Sequence, residues 1–77
     1  MYPTNPLMRL LLALHGLSAV DEDRARSTLE VARAANMAEE EVLELVEEVE
    51  KRGYVKRSGD KVFLTPVGII KILNLFS

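Results

Sequence analysis

Residues 49–66, which read VEKRGYVKRSGDKVFLTP, decide how this chain folds. The stretch opens as the end of a helix predicted over residues 38–52. Apolar residues recur in that segment with helical spacing, at Val42, Leu45, Val46 and Val49. Gly53 follows, and glycine commonly ends a helix because it adopts a left-handed backbone at little cost. The helix is therefore predicted to end where a different kind of structure begins.

A hairpin and a further helix are predicted after that glycine. Residues 54–57 and 61–64 have the length and the β-forming side chains of short strands, and Ser58-Gly59-Asp60 between them has the composition of a tight turn. Thr65-Pro66 then places a capping side chain before a proline, which suits the first position of a helix. The second half of the chain is therefore predicted to run helix, hairpin, helix.

Another helix is predicted upstream of this stretch. Ser27-Thr28-Leu29-Glu30 is a capping box, in which the serine hydroxyl and the glutamate carboxylate each satisfy a backbone N–H group. It predicts a helix over residues 28–35, and Asn36 follows where a left-handed residue is expected. Residues 17–26 are predicted to form a loop, with an acidic patch at residues 21–23.

The helices predicted at the two ends of the chain are more apolar than one buried face requires. Asn5-Pro6 predicts a helix start and Gly16 its end, and in residues 67–76 only three residues are not apolar. We expect the surplus surface to join two copies of the chain, because 77 residues bury little surface alone. The alternative is that the terminal helices cover each other. The expected dimer interface consists of Met8, Leu12, Ile70, Leu73 and Phe76.

Residues 28–70 resemble the MarR-like winged helix-turn-helix superfamily. Residues 29–37, LEVARAANM, are similar to its second helix and turn, although the family favours Leu-Ala and Gly-Leu where this chain has Val-Ala and Asn-Met. Residues 42–55 are similar to its recognition helix and to the exit into its wing. Leu64-Thr65-Pro66-Val67-Gly68 is similar to the segment that closes the wing and opens the next helix.

The resemblance implies a fold that is mostly α with a small β-hairpin. It is a winged helix-turn-helix with a three-helix core, a wing and an extra C-terminal helix. Residues 1–77 then form a single domain, as the length also requires. Its parts are an N-terminal helix at 1–16, a helix-turn-helix at 28–52, a wing at 54–64 and a C-terminal helix at 65–77.

Charge is divided sharply along the chain, whose net charge is -2. Seven glutamates and no base lie between Glu39 and Glu50, whereas residues 51–61 carry five bases against one acid. The resemblance implies a DNA-binding transcriptional regulator, and we expect it to contact double-stranded DNA mainly through the basic wing. The candidate DNA-binding residues are Lys56, Arg57, Lys61, Arg24, Arg26 and Lys51.

Two alternatives remain open for these bases. Instead of binding DNA, the wing residues Lys56, Arg57 and Lys61 would keep an exposed edge hairpin soluble through their charge. Arg24 and Arg26 would also pair with the acidic patch at residues 21–23.

The glutamates depart from the family's pattern, which places small polar or basic residues at the start of this helix. Four glutamates at ~8 Å from phosphates cost roughly 2 kcal/mol before screening, so they weaken DNA binding without forbidding it. Their face is either solvated, turned away from DNA by another docking mode, or a surface for a basic protein partner. In the last case the chain is a protein-protein interaction module. Its partner surface is then Glu40, Leu43, Glu44, Glu47 and Glu48.

No enzymatic activity, metal or cofactor is expected. The chain has one histidine, no cysteine and no serine or aspartate motif in a supporting context, so its sequence shows no catalytic constellation. The single histidine lacks a second histidine or a cysteine with which to bind a metal. No signal peptide is expected, and the longest uncharged stretch, residues 10–20, is too short to span a bilayer. The lack of cysteine suits a cytoplasmic protein. The absence of glutamine and tryptophan beside 29% charged residues points to a thermophile as the source.

Overall fold

The computed structural model describes residues 5–75 of the chain, and side chains as far as residue 74. This part is mostly helical, with a small three-stranded antiparallel sheet. Its α-helices are α1 (Pro6–Gly16), α2 (Thr28–Ala35), α3 (Glu39–Lys51) and α4 (Pro66–Leu75), and its strands are β1 (Arg26–Ser27), β2 (Val55–Ser58) and β3 (Lys61–Leu64). A short 3₁₀ helix, Glu22–Arg24, precedes β1.

Local capping interactions set the starts of α1 and α2, as the sequence predicts. The Asn5 side chain accepts a hydrogen bond from the first turn of α1, and Pro6 takes the first helical position. At α2 both halves of the capping box are formed between Ser27 and Glu30. Asn36 ends α2 with a left-handed backbone at φ 56°, which confirms the turn predicted there.

α3 buries one face and leaves the other in solvent. The buried face is the predicted stripe, with Val42, Val46 and Val49 fully buried and Leu45 half-buried. No side chain caps the start of α3, because Ala38 has no side-chain acceptor. The acids at residues 39–41 interact favourably with the positive end of the helix dipole instead. Gly53, at φ 81°, then turns the chain towards β2.

The sheet contains one more strand than the predicted hairpin. β2 and β3 pair around the turn at Gly59, and β1 pairs with the other edge of β3, with Arg26 opposite Val62. We predicted a loop over residues 17–26, which is wrong for the last residue of that range and for the 3₁₀ helix within it. A two-residue strand has no periodicity of its own, so it forms only because β3 offers an edge to pair with.

The core lies between the four α-helices and one face of the sheet. Its largest fully buried side chains are Leu10, Leu11, Leu14, Leu64, Val31, Val42, Val46, Val49, Val55 and Val62. Met8 belongs to this core as well, with only 5% of its surface exposed. The prediction that Met8 faces a second copy of the chain is therefore wrong. The reason is that α2, α3 and α4 all contact α1, and Met8 belongs to the core that these helices share.

The start of α4 is held against the segment that follows α3. The Thr65 hydroxyl accepts a hydrogen bond from the Gly68 amide at 3.1 Å and donates one to the Gly53 carbonyl. The Thr65 amide donates to the Tyr54 carbonyl oxygen at 3.0 Å. Glycine is required at position 68, because a Cβ there would lie 2.1 Å from that Tyr54 oxygen. The predicted cap thus also joins α4 to the start of the hairpin.

The pKa of Glu30 is lowered in the folded chain, chiefly because its carboxylate accepts a hydrogen bond from the Arg26 side chain at 3.0 Å. Its contribution to stability is present above the pKa of the unfolded glutamate and is lost as the pH falls through the lower pKa of the folded chain. We expect an NMR titration of the Glu30 carboxyl group to show a midpoint below that of an ordinary glutamate. Arg26→Gln is expected to raise this midpoint.

The control for that titration is Arg24→Gln, because Arg24 pairs with Asp21 rather than with Glu30. It removes the same charge two residues away and is expected to leave the Glu30 midpoint unchanged. Equal midpoints in the two variants would contradict the assignment of the shift to Arg26.

Candidate functional site

The cations of the hairpin lie on two different faces of the sheet. Side chains alternate between faces along a strand, and residues directly opposite each other share a face. The register places Lys56 opposite Phe63 and Arg57 opposite Val62, which is buried. Arg57 therefore lies on the inner face, towards the core, and Lys56 lies on the outer face. Lys61 immediately precedes Val62 on β3, so it shares the outer face with Lys56.

The inner-face arginines are already paired with carboxylates. Arg57 Nε lies 3.2 Å from Glu50 Oε1, near the end of α3. Arg26, which is also opposite Val62, places Nη1 3.0 Å from Glu30 Oε2. Exposed pairs of this kind contribute at most about 1 kcal/mol each to stability. These two arginines can therefore bind another anion only if their ion pairs with Glu30 and Glu50 break. The free energy lost when such a pair breaks is small.

Arg24 is paired locally within the 3₁₀ helix. Its Nε lies 3.6 Å from Asp21 Oδ2, and the other Asp21 oxygen caps the 3₁₀ helix. The alternative in which both upstream arginines pair with the acidic patch thus holds for Arg24 and fails for Arg26. Arg26 pairs with Glu30 instead. Strand β1 leads directly into α2, so the side chain of Arg26 reaches the glutamate four residues later, in the first turn of that helix.

The outer-face lysines, Lys56 and Lys61, are free of ion pairs within the part of the chain that the structure describes. Both side chains are exposed, and both neighbour the half-buried ring of Phe63. Lys51, at the end of α3, is also exposed and has no ion pair within the described residues. One acid approaches this end of the hairpin, since Ser58 donates a hydrogen bond to Glu22 at 3.3 Å.

The exposed face of α3 carries fewer free carboxylates than its sequence contains. Glu48 pairs with Arg52 at 2.9 Å, and Glu39 accepts a hydrogen bond from Thr28 at 3.1 Å. Glu48 is therefore already engaged, although we predicted it for the partner surface. Within residues 5–74 the exposed glutamates that have neither an ion pair nor a side-chain hydrogen bond are Glu40, Glu41, Glu44 and Glu47.

Leu43 marks the border between this acidic face and the hairpin. This residue is 43% exposed and lines a small cleft of about 110 Å³ between α3 and the sheet. Arg57 and Val62 of the inner face line the same cleft, together with residues 59–61 at the hairpin turn. A single exposed leucine is ordinary on a protein surface. Here it adds an apolar element next to unpaired glutamates, as a surface for a basic protein partner would need.

α4 presents apolar side chains to solvent. Val67, Ile70 and Leu73 are 52%, 56% and 61% exposed, and they recur every three residues along the helix. The positions predicted for Ile70 and Leu73 in a dimer interface are thus on the surface of the single chain. Leu12, from α1, is half-buried and lines a cleft between α1 and α2. Phe76 lies outside the described residues.

Arg9 has a structural role that the sequence analysis missed. From α1 its guanidinium donates to the carbonyl oxygens of Ala35 at 2.7 Å and Asn36 at 3.1 Å, at the end of α2. A cation there satisfies backbone acceptors and offsets the negative end of the helix dipole. The residues are 26 and 27 positions apart, so no local pattern reveals the contact. Arg9 also borders the cleft between α1 and α2, whose volume is about 390 Å³.

The described residues contain no helix long and apolar enough to cross a membrane. Nor do they place three or more histidine, cysteine or acidic side chains together as ligands for a metal ion. No family model, curated protein or solved structure matches the chain. The chemistry of the two charged surfaces, the hairpin and the acidic face of α3, is therefore the basis for assigning a function.

Proposed function

We propose that the chain is a winged helix-turn-helix protein that binds double-stranded DNA as a transcriptional regulator, with the hairpin as its wing. The order of elements supports this fold, because α2, a turn, α3, a hairpin and α4 follow one another without insertions. Asn36 supplies the left-handed residue in the turn between α2 and α3. Gly53 supplies the second reversal, from α3 into the hairpin.

The observation that carries the DNA-binding proposal is the pair of outer-face lysines. Lys56 and Lys61 are exposed and have no carboxylate partner within residues 5–74. Such cations meet phosphates without first breaking an ion pair, and each phosphate contact releases condensed counterions. A narrow hairpin also fits against the DNA backbone or the minor groove. The hairpin therefore supplies affinity rather than readout of base sequence.

α3 contributes little to recognition in this proposal. Its exposed face offers the carboxylates of Glu40, Glu44 and Glu47, which phosphates repel and which accept rather than donate hydrogen bonds. Base readout in the major groove depends mainly on donors such as arginine, asparagine and glutamine. Binding is therefore expected to tolerate most sequences and to be weak, with dissociation constants on the order of 1–100 µM at physiological salt.

Fluorescence anisotropy with a labelled duplex of random sequence tests the proposal. A salt series from about 50 to 200 mM is expected to show binding that weakens as salt rises, because each phosphate contact contributes about 0.9 to the slope of log K against log salt. Absence of binding at about 50 mM salt would overturn the DNA-binding function, since low salt favours phosphate contacts most strongly.

The second candidate function is a protein-interaction module that uses the acidic face of α3. The specific observation in its favour is Leu43, which is 43% exposed beside unpaired glutamates. The partner would be a basic amphipathic segment that covers the leucine and pairs with the carboxylates. In that case the random duplex does not bind. A lysine-rich amphipathic helical peptide does, and Glu44→Lys reverses the charge at the site and abolishes its binding.

We also propose that the chain forms a homodimer through its terminal helices. Support comes from α4, where Val67, Ile70 and Leu73 are each more than half exposed. Burying such a stripe against its copy stabilises the assembly by about 25 cal/mol for each Å² of apolar surface removed from water. A two-fold dimer would also present two hairpins to one duplex, which raises affinity without a new kind of contact.

Light scattering after size exclusion checks the dimer. The chain is expected to elute at twice the mass of one copy at high micromolar concentration, and Ile70→Lys/Leu73→Lys to elute as a monomer, because the lysines place charge in the apolar interface. Leu43→Lys is the control, since it makes the same change at an exposed leucine on α3 and is expected to leave the dimer intact. A monomeric wild-type chain would refute the proposal.

A further inference from the structure

We infer that Glu50 is an intramolecular competitor for DNA phosphate at Arg57. The carboxylate on α3 holds the only arginine of residues 54–64, and phosphate binding at this arginine has to displace it. The inference rests on the proposed DNA-binding function. It adds a residue that lowers the affinity of the hairpin without touching the duplex.

The contact arises from how α3 leads into β2. Glu50 lies in the last turn of α3, and Gly53 at φ 81° reverses the chain so that β2 returns beside that turn. Arg57 is on the inner face of β2, and its Nε lies 3.2 Å from Glu50 Oε1. The two side chains are 37% and 44% exposed, so solvent and a phosphate oxygen have access to both. No other ion pair involves either residue within residues 5–74.

A guanidinium presents its N–H donors in one planar fork, which matches either a carboxylate or a phosphate. Arg57 therefore exchanges one anion for another when it contacts DNA, whereas Lys56 and Lys61 exchange only water and counterions. Exposed ion pairs are weak, so the exchange is allowed and the loss of affinity is modest. The displaced Glu50 then remains as an unpaired carboxylate close to the phosphate, which adds repulsion.

Two kinds of cation are thus present on the hairpin. The outer-face lysines have no ion pair to break within residues 5–74, whereas Arg57 is paired with Glu50 of α3 until a phosphate displaces that carboxylate. This difference makes the effects of mutations at Arg57 depend on residue 50, while the effects at Lys56 and Lys61 do not. Such non-additivity distinguishes competition from a general effect of negative charge.

The test is duplex affinity of Glu50→Gln, measured by anisotropy with the random duplex at about 50 mM salt. Glutamine keeps the shape of the side chain and removes the charge that holds Arg57. Affinity is expected to rise roughly two- to fivefold, the factor that corresponds to losing one exposed ion pair as a competitor. Glu47→Gln is the matched control, since it removes one exposed and unpaired carboxylate from the same helix. It is expected to raise affinity less than twofold.

Arg57→Ala is then introduced into both backgrounds. It is expected to reduce affinity more in Glu50→Gln than in the wild-type chain, because only the variant leaves the arginine fully available. The competition would be overturned if Glu50→Gln and Glu47→Gln raised duplex affinity equally. It would also be overturned if Arg57→Ala reduced affinity by the same factor in both backgrounds. Either result would leave the outer-face lysines as the proposed DNA contact.

A readout without DNA separates failure of the competition from failure of the proposed function. The Nε–Hε NMR signal of Arg57 is expected to move in Glu50→Gln and to stay in place in Glu47→Gln. An unmoved signal in Glu50→Gln overturns the competition whatever the duplex does. A moved signal in a protein that binds no duplex shows that the pair exists, and overturns the DNA-binding function and the competition with it.

Discussion

Gly68→Ala is expected to destabilise the fold by about 3 kcal/mol, although alanine usually stabilises a helix relative to glycine by about 0.5–1 kcal/mol. The sign reverses because the added Cβ would lie 2.1 Å from the Tyr54 carbonyl oxygen, which already accepts a hydrogen bond from the Thr65 amide. That oxygen belongs to the backbone and cannot rotate away as the end of a side chain would. α4 must therefore shift and weaken the cap at its own start.

Thermal unfolding followed by circular dichroism measures this loss. A decrease of about 15 °C in Tm is expected, since each kcal/mol shifts a domain of this size by about 4–8 °C. The matched control is Gly16→Ala, because Gly16 is also helical and a Cβ there meets nothing within 4 Å. Gly16→Ala is expected to stabilise the fold, by less than about 1 kcal/mol.

Both glycine variants are compared with the wild-type chain at one protein concentration, because the proposed dimer would make Tm depend on concentration. If Gly68→Ala matched Gly16→Ala in stability, the close packing of α4 against Tyr54 would be contradicted.

Removal of the three hairpin cations is expected to eliminate most of the duplex affinity. In Lys56→Ala/Arg57→Ala/Lys61→Ala the two outer-face lysines alone account for a fall of about 1.8 in the salt slope, at about 0.9 for each phosphate contact. The same two contacts correspond to a loss of roughly 50- to 100-fold in affinity at about 0.1 M salt. Arg57 is expected to add less than either lysine, because Glu50 already offsets part of its contribution.

The anisotropy salt series is repeated with this triple variant and with Lys71→Ala as the control. Lys71 is exposed on α4, so its removal changes net charge by one unit away from the hairpin. Its effect on affinity is expected to stay below about twofold, given screening at these salt concentrations. The triple variant is expected to remain folded, since its three side chains are exposed. If the triple variant bound the duplex with the same affinity as Lys71→Ala, the proposal that the hairpin contacts DNA would be contradicted.

The charges of the candidate site were predictable from sequence, whereas the pairing of those charges was not. The 3.6-residue period of α3 predicts that Glu40, Glu44 and Glu47 point away from the buried valines, and the structure confirms it. The partner of Arg57 depends instead on how the chain reverses at Gly53 and on the face of β2 that carries the arginine. Fewer cations are therefore free of ion pairs than the sequence alone indicates.

Local signals in the sequence established the element boundaries, because each depends on groups only a few residues apart. The capping box at Ser27 and Glu30 and the left-handed residues Asn36 and Gly53 all act within one turn of the chain. Their geometry follows from backbone sterics and short-range hydrogen bonds, which residue type reveals directly.

Packing between distant segments decided the remaining features of the molecule. β1 exists because β3 offers it an edge, Met8 is buried because three helices pack against α1, and position 68 needs glycine because Tyr54 lies against it. Arg9 likewise meets the end of α2 across 26 residues of sequence. Each of these contacts joins groups that only the assembled fold brings together, so the spacing of residues along the chain does not reveal the partner.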